Sequence, residues 1–264
     1  MAVLKNPKRI VVKVGTSTLT HSTGKTNIRS MRNLVRVLSD IVNSGVEVAL
    51  VTSGAIGVGV GKLGLSERPN DTEGRQAAAT IGQCELMFMY DKMFGEYGHV
   101  VGQFLITKRD VENPDCKHNL VNAFDKTFEY GAIPIINEND SIAIDEIVYG
   151  DNDNLSAIVA KLINADALLI LTDQDGLYTA NPSTDEDAQL IPVVKEITED
   201  LFKLAGGKGS ALGTGGMVTK LMAAQVTTAV GIDTIIMNGA DPENIYRVLE
   251  GRQVGTFFVA NKED

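Results

Sequence analysis

Cysteine, histidine, long apolar runs and positive charge are all scarce in this sequence, and each shortage removes a class of function. Cys84 and Cys116 are too few and too far apart for a disulfide framework or a CxxC site, so a reducing cytoplasm fits best. The three histidines, His21, His99 and His118, are scattered and offer no zinc-ligand spacing. No run approaches the roughly 18 apolar residues of a membrane span. The N-terminus, Met1 to Arg9, is basic but lacks the apolar core of a signal peptide. With 24 Lys and Arg against 34 Asp and Glu, the net charge of −10 leaves no basic stripe of the kind nucleic acids require.

What is present is an ordinary folded composition, 44% hydrophobic and 22% charged over 264 residues, within reach of one large α/β domain. Apolar runs at 9–14, 46–51, 99–105, 132–136, 167–171, 191–194, 234–237 and 256–259 read as strands. Between them lie helical patterns. The first carries Met31, Leu34, Val35, Leu38, Ile41 and Val42, the i, i+3, i+4, i+7 spacing of one helix face. Further helices are expected after a glycine-rich turn up to about Leu63, then over 75–94, 119–130, 198–205, 217–230 and 242–249. One more carries Leu155, Ile158, Val159, Leu162 and Ile163. Strands alternating with helices mean crossover connections and a largely parallel sheet, a three-layer αβα sandwich. No internal repeat and no linker-like stretch divides it.

The chemistry collects at the ends of the strands. The first strand ends Lys13-Val14-Gly15-Thr16-Ser17. A Lys in an apolar strand is costly unless its charge is paired or aimed into a cleft. There it can reach a polyphosphate, and Gly15 lets the backbone approach closely. The second strand ends Thr52-Ser53-Gly54-Ala55, where a strand turning into a helix presents free N–H groups to an anion. A late loop, Gly213-Thr214-Gly215-Gly216-Met217, leads into a helix with Lys220 one turn in. A cation near a helix N-terminus goes against the dipole and hints at an anionic ligand.

Midway, Asn137, Glu138, Asn139 and Asp140, then Asp151, Asn152, Asp153 and Asn154, form two polar clusters around an alternating segment at 142–148. A solvated turn needs one or two such side chains. These sit at element ends, where open parallel sheets bind ligands. Two motifs are decoys. Gly24-Lys25-Thr26 would end a P-loop, but that pattern requires Gly at 19 and finds Leu19. Gly59, Gly61 and Gly64 match the dinucleotide fingerprint but lie too far beyond their strand to form its tight turn. Two lysines from opposite ends of the chain, glycine nests and an acidic-amide cluster describe phosphoryl transfer, which is mostly positioning and charge neutralisation. Asp153 would hold the lysines apart and oriented, and the amides with Asp140 would grip an acceptor bearing an amino group and an anion.

The chain resembles the amino acid kinases. The resemblance is carried by Lys13–Ser17, Ser53–Gly57, Ile136–Asp140, Gly150–Ala157, Leu171–Tyr178 and Gly213–Lys220, in the family's order along nearly the whole chain. The strings GDNDNLSA and GTGGM are similar to the branch that phosphorylates the γ-carboxylate of L-glutamate at the head of proline synthesis. The resemblance implies that Lys13 and Lys220 contact the phosphates and that Asp153 organises them. Ser53, Gly54, Ala55, Asn137, Asp140, Asp151 and Asn152 would bind the acceptor. Gly15, Thr172, Asp173, Thr214, Gly215, Gly216 and Met217, with the two lysines, would line the ATP site. Mg²⁺ would be held mainly by the nucleotide phosphates, without a dedicated protein metal site.

It further implies an acceptor-binding lobe at about 1–165, a nucleotide-binding lobe at about 166–264, a homo-oligomer (dimer or tetramer) and feedback by proline. Many bacterial members continue into an RNA-binding-like PUA domain, whereas this sequence stops at Asp264, as expected of a short form. Two alternatives stay open: a sister kinase acting on N-acetylglutamate, aspartate or carbamate, and a catalytically silent sensor on the same fold.

Overall fold

A computed structural model of the chain describes residues 3–21, 25–143, 152–206 and 216–261. The strands are β1 (Arg9–Val14), β2 (Glu47–Val51), β3 (Val101–Ile106), β4 (Ile133–Glu138), β5 (Ala167–Thr172), β6 (Val193–Val194), β7 (Asp233–Asn238) and β8 (Thr256–Phe258). They form one sheet in the order β3-β4-β2-β1-β5-β7-β8-β6. From β3 to β7 every pairing is parallel, whereas β8 runs antiparallel to β7. The helices are α1 (Thr16–Leu19), α2 (Ile28–Asn43), α3 (Ala55–Leu63), α4 (Thr72–Gly95), α5 (Lys108–Glu112), α6 (Pro114–Glu129), α7 (Asn152–Leu162), α8 (Glu199–Leu204), α9 (Met217–Thr228) and α10 (Asn244–Leu249). Among the described residues no helix is long and apolar enough to cross a membrane.

The period-2 alternation of a strand builds the three layers. In β1, Ile10, Val12 and Val14 join a core with α2, α3 and α4, while Val11 joins a second core with α6, α7 and α9. Val48 and Leu50 of β2 and Leu169 and Leu171 of β5 follow the first set; Ala49, Val51, Leu168 and Ile170 follow the second. Each fully buried aliphatic side chain stabilises by about 1.5–3 kcal/mol, so the central strands are pinned on both faces. By the same parity Lys13 faces the α7 and α9 side. In register it lies between Val51 of β2 and Ile170 of β5.

Several boundaries differ from those the sequence suggests. Helix α4 starts at Thr72 rather than 75, because the Asp71 side chain caps it by accepting from Gly74 N. Helix α6 starts at Pro114 rather than 119, with Asn113 accepting from the N–H groups of Asp115 and Cys116. Helix α5, set by a capping box between Thr107 and Asp110, has no counterpart in the periodicity reading. Strand β4 runs two residues further than expected, so Asn137 and Glu138 belong to the strand rather than to a loop. Most of the alternating segment at 142–148 and of the glycine loop before α9 lies outside the described residues.

Candidate functional site

The carboxyl ends of β1, β2, β4 and β5 meet where the chain's crossovers diverge to either side of β1, the usual place for a ligand crevice. Lys13 is the next-to-last residue of β1. Asp153 stands in the first turn of α7 and Lys220 in that of α9. Lys13 Nζ lies 2.5 Å from Asp153 Oδ1, and Lys220 Nζ lies 3.0 Å from Asp153 Oδ2. Thr219 Oγ1 donates to the same Oδ2 at 2.9 Å. The three charged residues are nearly inaccessible, 5%, 0% and 5% exposed in chain order. Burial by itself would push the Asp153 carboxyl up, but the two ammonium charges and their hydrogen bonds outweigh it and hold the group below its ordinary value. Asp153 is therefore an anion between two cations drawn from opposite ends of the chain.

Beside the triad lies a cavity of about 120 Å³ lined by Ser53, Gly54, Ala55, Asn137, Asp140 and Asn152. Its floor is the start of α3. Gly54, at φ +94°, turns the chain from β2 into that helix, a conformation that only glycine adopts without strain. No side chain among the described residues caps α3, so its first N–H groups and the positive end of its dipole face the cavity. Asn152 Nδ2 donates to the Thr52 carbonyl, to Ser53 Oγ at 3.1 Å and to Asn137 Oδ1 at 2.7 Å. Consecutive residues of one helical turn thus serve two ends of the site, Asn152 the cavity and Asp153 the lysines.

The expected site residues come together in large part. The lysine-carboxylate triad is formed, and six of the seven expected acceptor residues line the one cavity. The seventh, Asp151, lies outside the described residues, as do Thr214 and Gly215. Thr172 ends β5 and donates through Oγ1 to Asp173 Oδ1 at 3.0 Å. Leu171 before them pairs with Val14, which places them beside the end of β1. Gly216 is the uncapped start of α9, with Met217 the first residue of that helix. At Gly15 φ is −83° and a Cβ would come no closer than 3.9 Å to another protein atom, so neither backbone nor packing demands glycine there.

Other residues escaped the sequence reading. Arg68 lines the cavity and makes no hydrogen bond or ion pair among the described residues. It sits in an unstructured stretch before α4, where nothing in periodicity or spacing marks it. Gln83, inside α4, accepts from Asn137 Nδ2 at 2.8 Å, and its own Nε2 is buried without a hydrogen-bond partner among the described residues. Behind Ser53, Thr52 and Tyr90 share a hydrogen bond of 2.8 Å, and burial pushes the Tyr90 phenol up. The dinucleotide decoy also has an explanation. A Cβ on Gly59 would fall 1.8 Å from the Ala78 carbonyl, so this glycine serves the close crossing of α3 and α4. Gly64, at φ +67°, ends α3.

Both the sequence and the fold have known relatives. The model of the amino acid kinase family matches residues 8–238. A glutamate 5-kinase of Clostridium perfringens is 56% identical over 98% of this chain and 98% of its own. Another, of Listeria innocua, is 51% identical over 99% of this chain and 96% of its own. Among solved structures, a UMP kinase from Bacillus anthracis superposes with a TM-score of 0.67 at 18% identity, covering 98% of each chain. An isopentenyl phosphate kinase from T. acidophilum gives 0.62 at 18% identity, over 94% of this chain and 99% of its own. At that identity the two structures speak for the fold alone.

Proposed function

The chain belongs to the amino acid kinase family, and on that premise we propose that it transfers the γ-phosphoryl group of ATP to the γ-carboxylate of L-glutamate. The products are γ-glutamyl phosphate and ADP, and the step opens proline synthesis. The carrying observation is the Lys13–Asp153–Lys220 triad at the strand ends, next to a cavity floored by an open helix N-terminus. The glutamate 5-kinases that match over nearly the full chain support the choice of acceptor.

In this reading Lys13 and Lys220 neutralise the triphosphate and the charge that spreads over the transferring group. Asp153 is a positioning residue, ionised throughout, which keeps two like charges side by side in a buried place. Thr172, Asp173, Gly216 and Met217 line the nucleotide's side of the cleft, and Thr214 and Gly215 are assigned to the same nucleotide by the family resemblance. Mg²⁺ held by the nucleotide phosphates would add to the neutralisation that Lys13 and Lys220 supply. The donor set suits this arrangement, because Asp153 is already occupied by two lysines.

The attacking carboxylate is ionised at neutral pH, so no general base is needed. The N–H groups at the start of α3, with Ser53, hold the γ-carboxylate. Asn137, Asp140, Asp151 and Asn152 read the α-ammonium end, and Arg68 offers a counter-charge for the α-carboxylate. The family reading extends to a cytoplasmic homo-oligomer inhibited by proline.

ADP release measured with glutamate, N-acetylglutamate, aspartate and carbamate tests the proposal. Release with glutamate and little with the N-acetyl form is the expected result. Preference for another acceptor would assign the chain to a sister kinase, and no release with any would leave a nucleotide or amino-acid sensor.

A further inference from the structure

At the opposite end of the sheet, where β5 and β7 begin, a groove of about 640 Å³ opens on the surface, a size typical of small-molecule sites. Its walls include the last turns of α7 and α9 and the early part of α6, represented by Leu162, Val226 and Val121. Val226 and Val230 are 41% and 44% exposed, so apolar surface is left open here. Three ammonium groups, Lys5, Lys117 and Lys161, ring it. None of them makes a hydrogen bond or ion pair among the described residues. Two acids line the same groove: Asp166 Oδ2 accepts from the backbone N–H groups of Lys8 and Arg9, and Asp233 Oδ1 from that of Ala260.

Lysine stems often cover apolar surface, and Lys161 at the end of α7 suits that helix's dipole. Lys117 does not fit this account. It lies one turn into α6, where the dipole disfavours a cation. Three lysines against two carboxylates leave the groove with an excess of positive charge around one concave apolar surface, on a chain whose net charge is −10, and an anion with an apolar body complements it.

We propose that this groove is an effector site for a small molecule that joins an apolar body to an anionic group. The helices that wall it are the ones that carry the triad. Lys161 follows Asp153 by two turns of α7, about 12 Å, and Val226 follows Lys220 by less than two turns of α9, about 9 Å. α7 and α9 pack against each other, so a ligand wedged between their ends shifts Asp153 and Lys220 relative to Lys13. This coupling rests on the phosphoryl-transfer reading; the binding site itself does not.

The test titrates the full chain with anilinonaphthalene sulfonate, an apolar body bearing an anion, and reads its fluorescence. One saturable site is expected, retained in the presence of ADP and glutamate. The affinity should fall about tenfold or more in Lys117→Glu/Lys161→Glu, the size expected from losing charge-assisted contacts. Lys117→Gln/Lys161→Gln, which removes the charges without reversing them, should show an intermediate loss and guards against misfolding of the first variant. Displacement of the probe by ADP or glutamate would place it in the catalytic cleft, and undiminished affinity in both variants would reduce the site to apolar surface. Either result overturns the proposal. Saturating probe should also change glutamate-dependent ADP release in the unaltered chain but not in the charge-reversed variant, whose activity without probe stays unchanged. Identical kinetics with and without the probe would remove the effector role.

Discussion

Asp153 is a carboxylate of no exposure that balances two buried ammonium groups. Replacing it by Asn leaves two like charges facing each other without a counter-ion, a change that costs about 3–5 kcal/mol in buried pairs. Urea unfolding of Asp153→Asn at neutral pH should show a loss of that size. Added ADP should recover more stability in the variant than in the unaltered chain, because its phosphates replace the missing anion. The sign of the pH dependence follows from the depressed carboxyl. Its stabilisation is present above the unfolded value of 3.8 and disappears as the pH falls through the lower folded value. The gap between the two proteins should therefore close in acid unfolding below about pH 4. A gap that persisted in strong acid would mean that charge is not its source. The lysine and arginine of the site should separate kinetically. Lys220→Ala should lower kcat by about 10²–10³ with the KM for glutamate nearly kept. Arg68→Ala and Asp140→Ala should raise that KM by about tenfold while sparing the KM for ATP. If Arg68→Ala left the glutamate KM untouched, the guanidinium would have no part in holding the acceptor.

The elements that hold these residues depend on close backbone approaches as much as on side chains. Helices α3 and α4 cross so tightly that a Cβ on Gly82 would lie 1.8 Å from the Ala55 carbonyl and 2.5 Å from Gly59 N. Ala55 is the first residue of α3 and lines the cavity proposed for the acceptor. Gly82→Ala should force the helices apart at a cost of about 1–3 kcal/mol, lowering the melting temperature by several degrees in a chain of this length. It should also tilt the N-terminus of α3 and raise the KM for glutamate. Lost stability with unchanged glutamate kinetics would show that the helix start is held independently of that crossing. Element existence was legible in the sequence wherever one period dominated, as in α2 or β5. Starts governed by a polar cap rather than by apolar spacing were not: Asp71 and Asn113 began α4 and α6 earlier than periodicity alone suggests. Asn137, Asn152 and Asp153 were legible as polar clusters at element ends, Asn137 just past its strand and the other two where a helix starts. Asn137 is in fact the next-to-last residue of β4, and Asn152 and Asp153 open α7, so regular backbone hydrogen bonding sets where all three stand. Arg68 and Gln83 left no trace, since a lone Arg in a connecting segment and a Gln inside a helix carry no periodic or spacing signal.

Across the whole molecule, the site is assembled by one sheet rather than by two bodies closing on each other. Strand β1 pairs over five positions with β2 on one side and over five with β5 on the other. Its side chains alternate between both cores, and the Asp153 to Lys220 ion pair ties α7 to α9. A split into an acceptor half and a nucleotide half near residue 165 therefore cuts through the best-buried part of the fold. The consequence is cooperative unfolding. Gly82→Ala perturbs the α3–α4 crossing on the acceptor side. Leu221→Ala empties a fully buried position of α9 on the nucleotide side, at a cost of about 2–5 kcal/mol. If the sheet couples the halves, each substitution lowers the midpoint of the same single transition in urea, and far-ultraviolet circular dichroism and hydrogen exchange in β4 and β7 report that transition together. Two transitions, with each substitution moving only its own, would show that the halves fold independently. The triad would then be an interface between separate bodies, and its geometry would depend on how they dock.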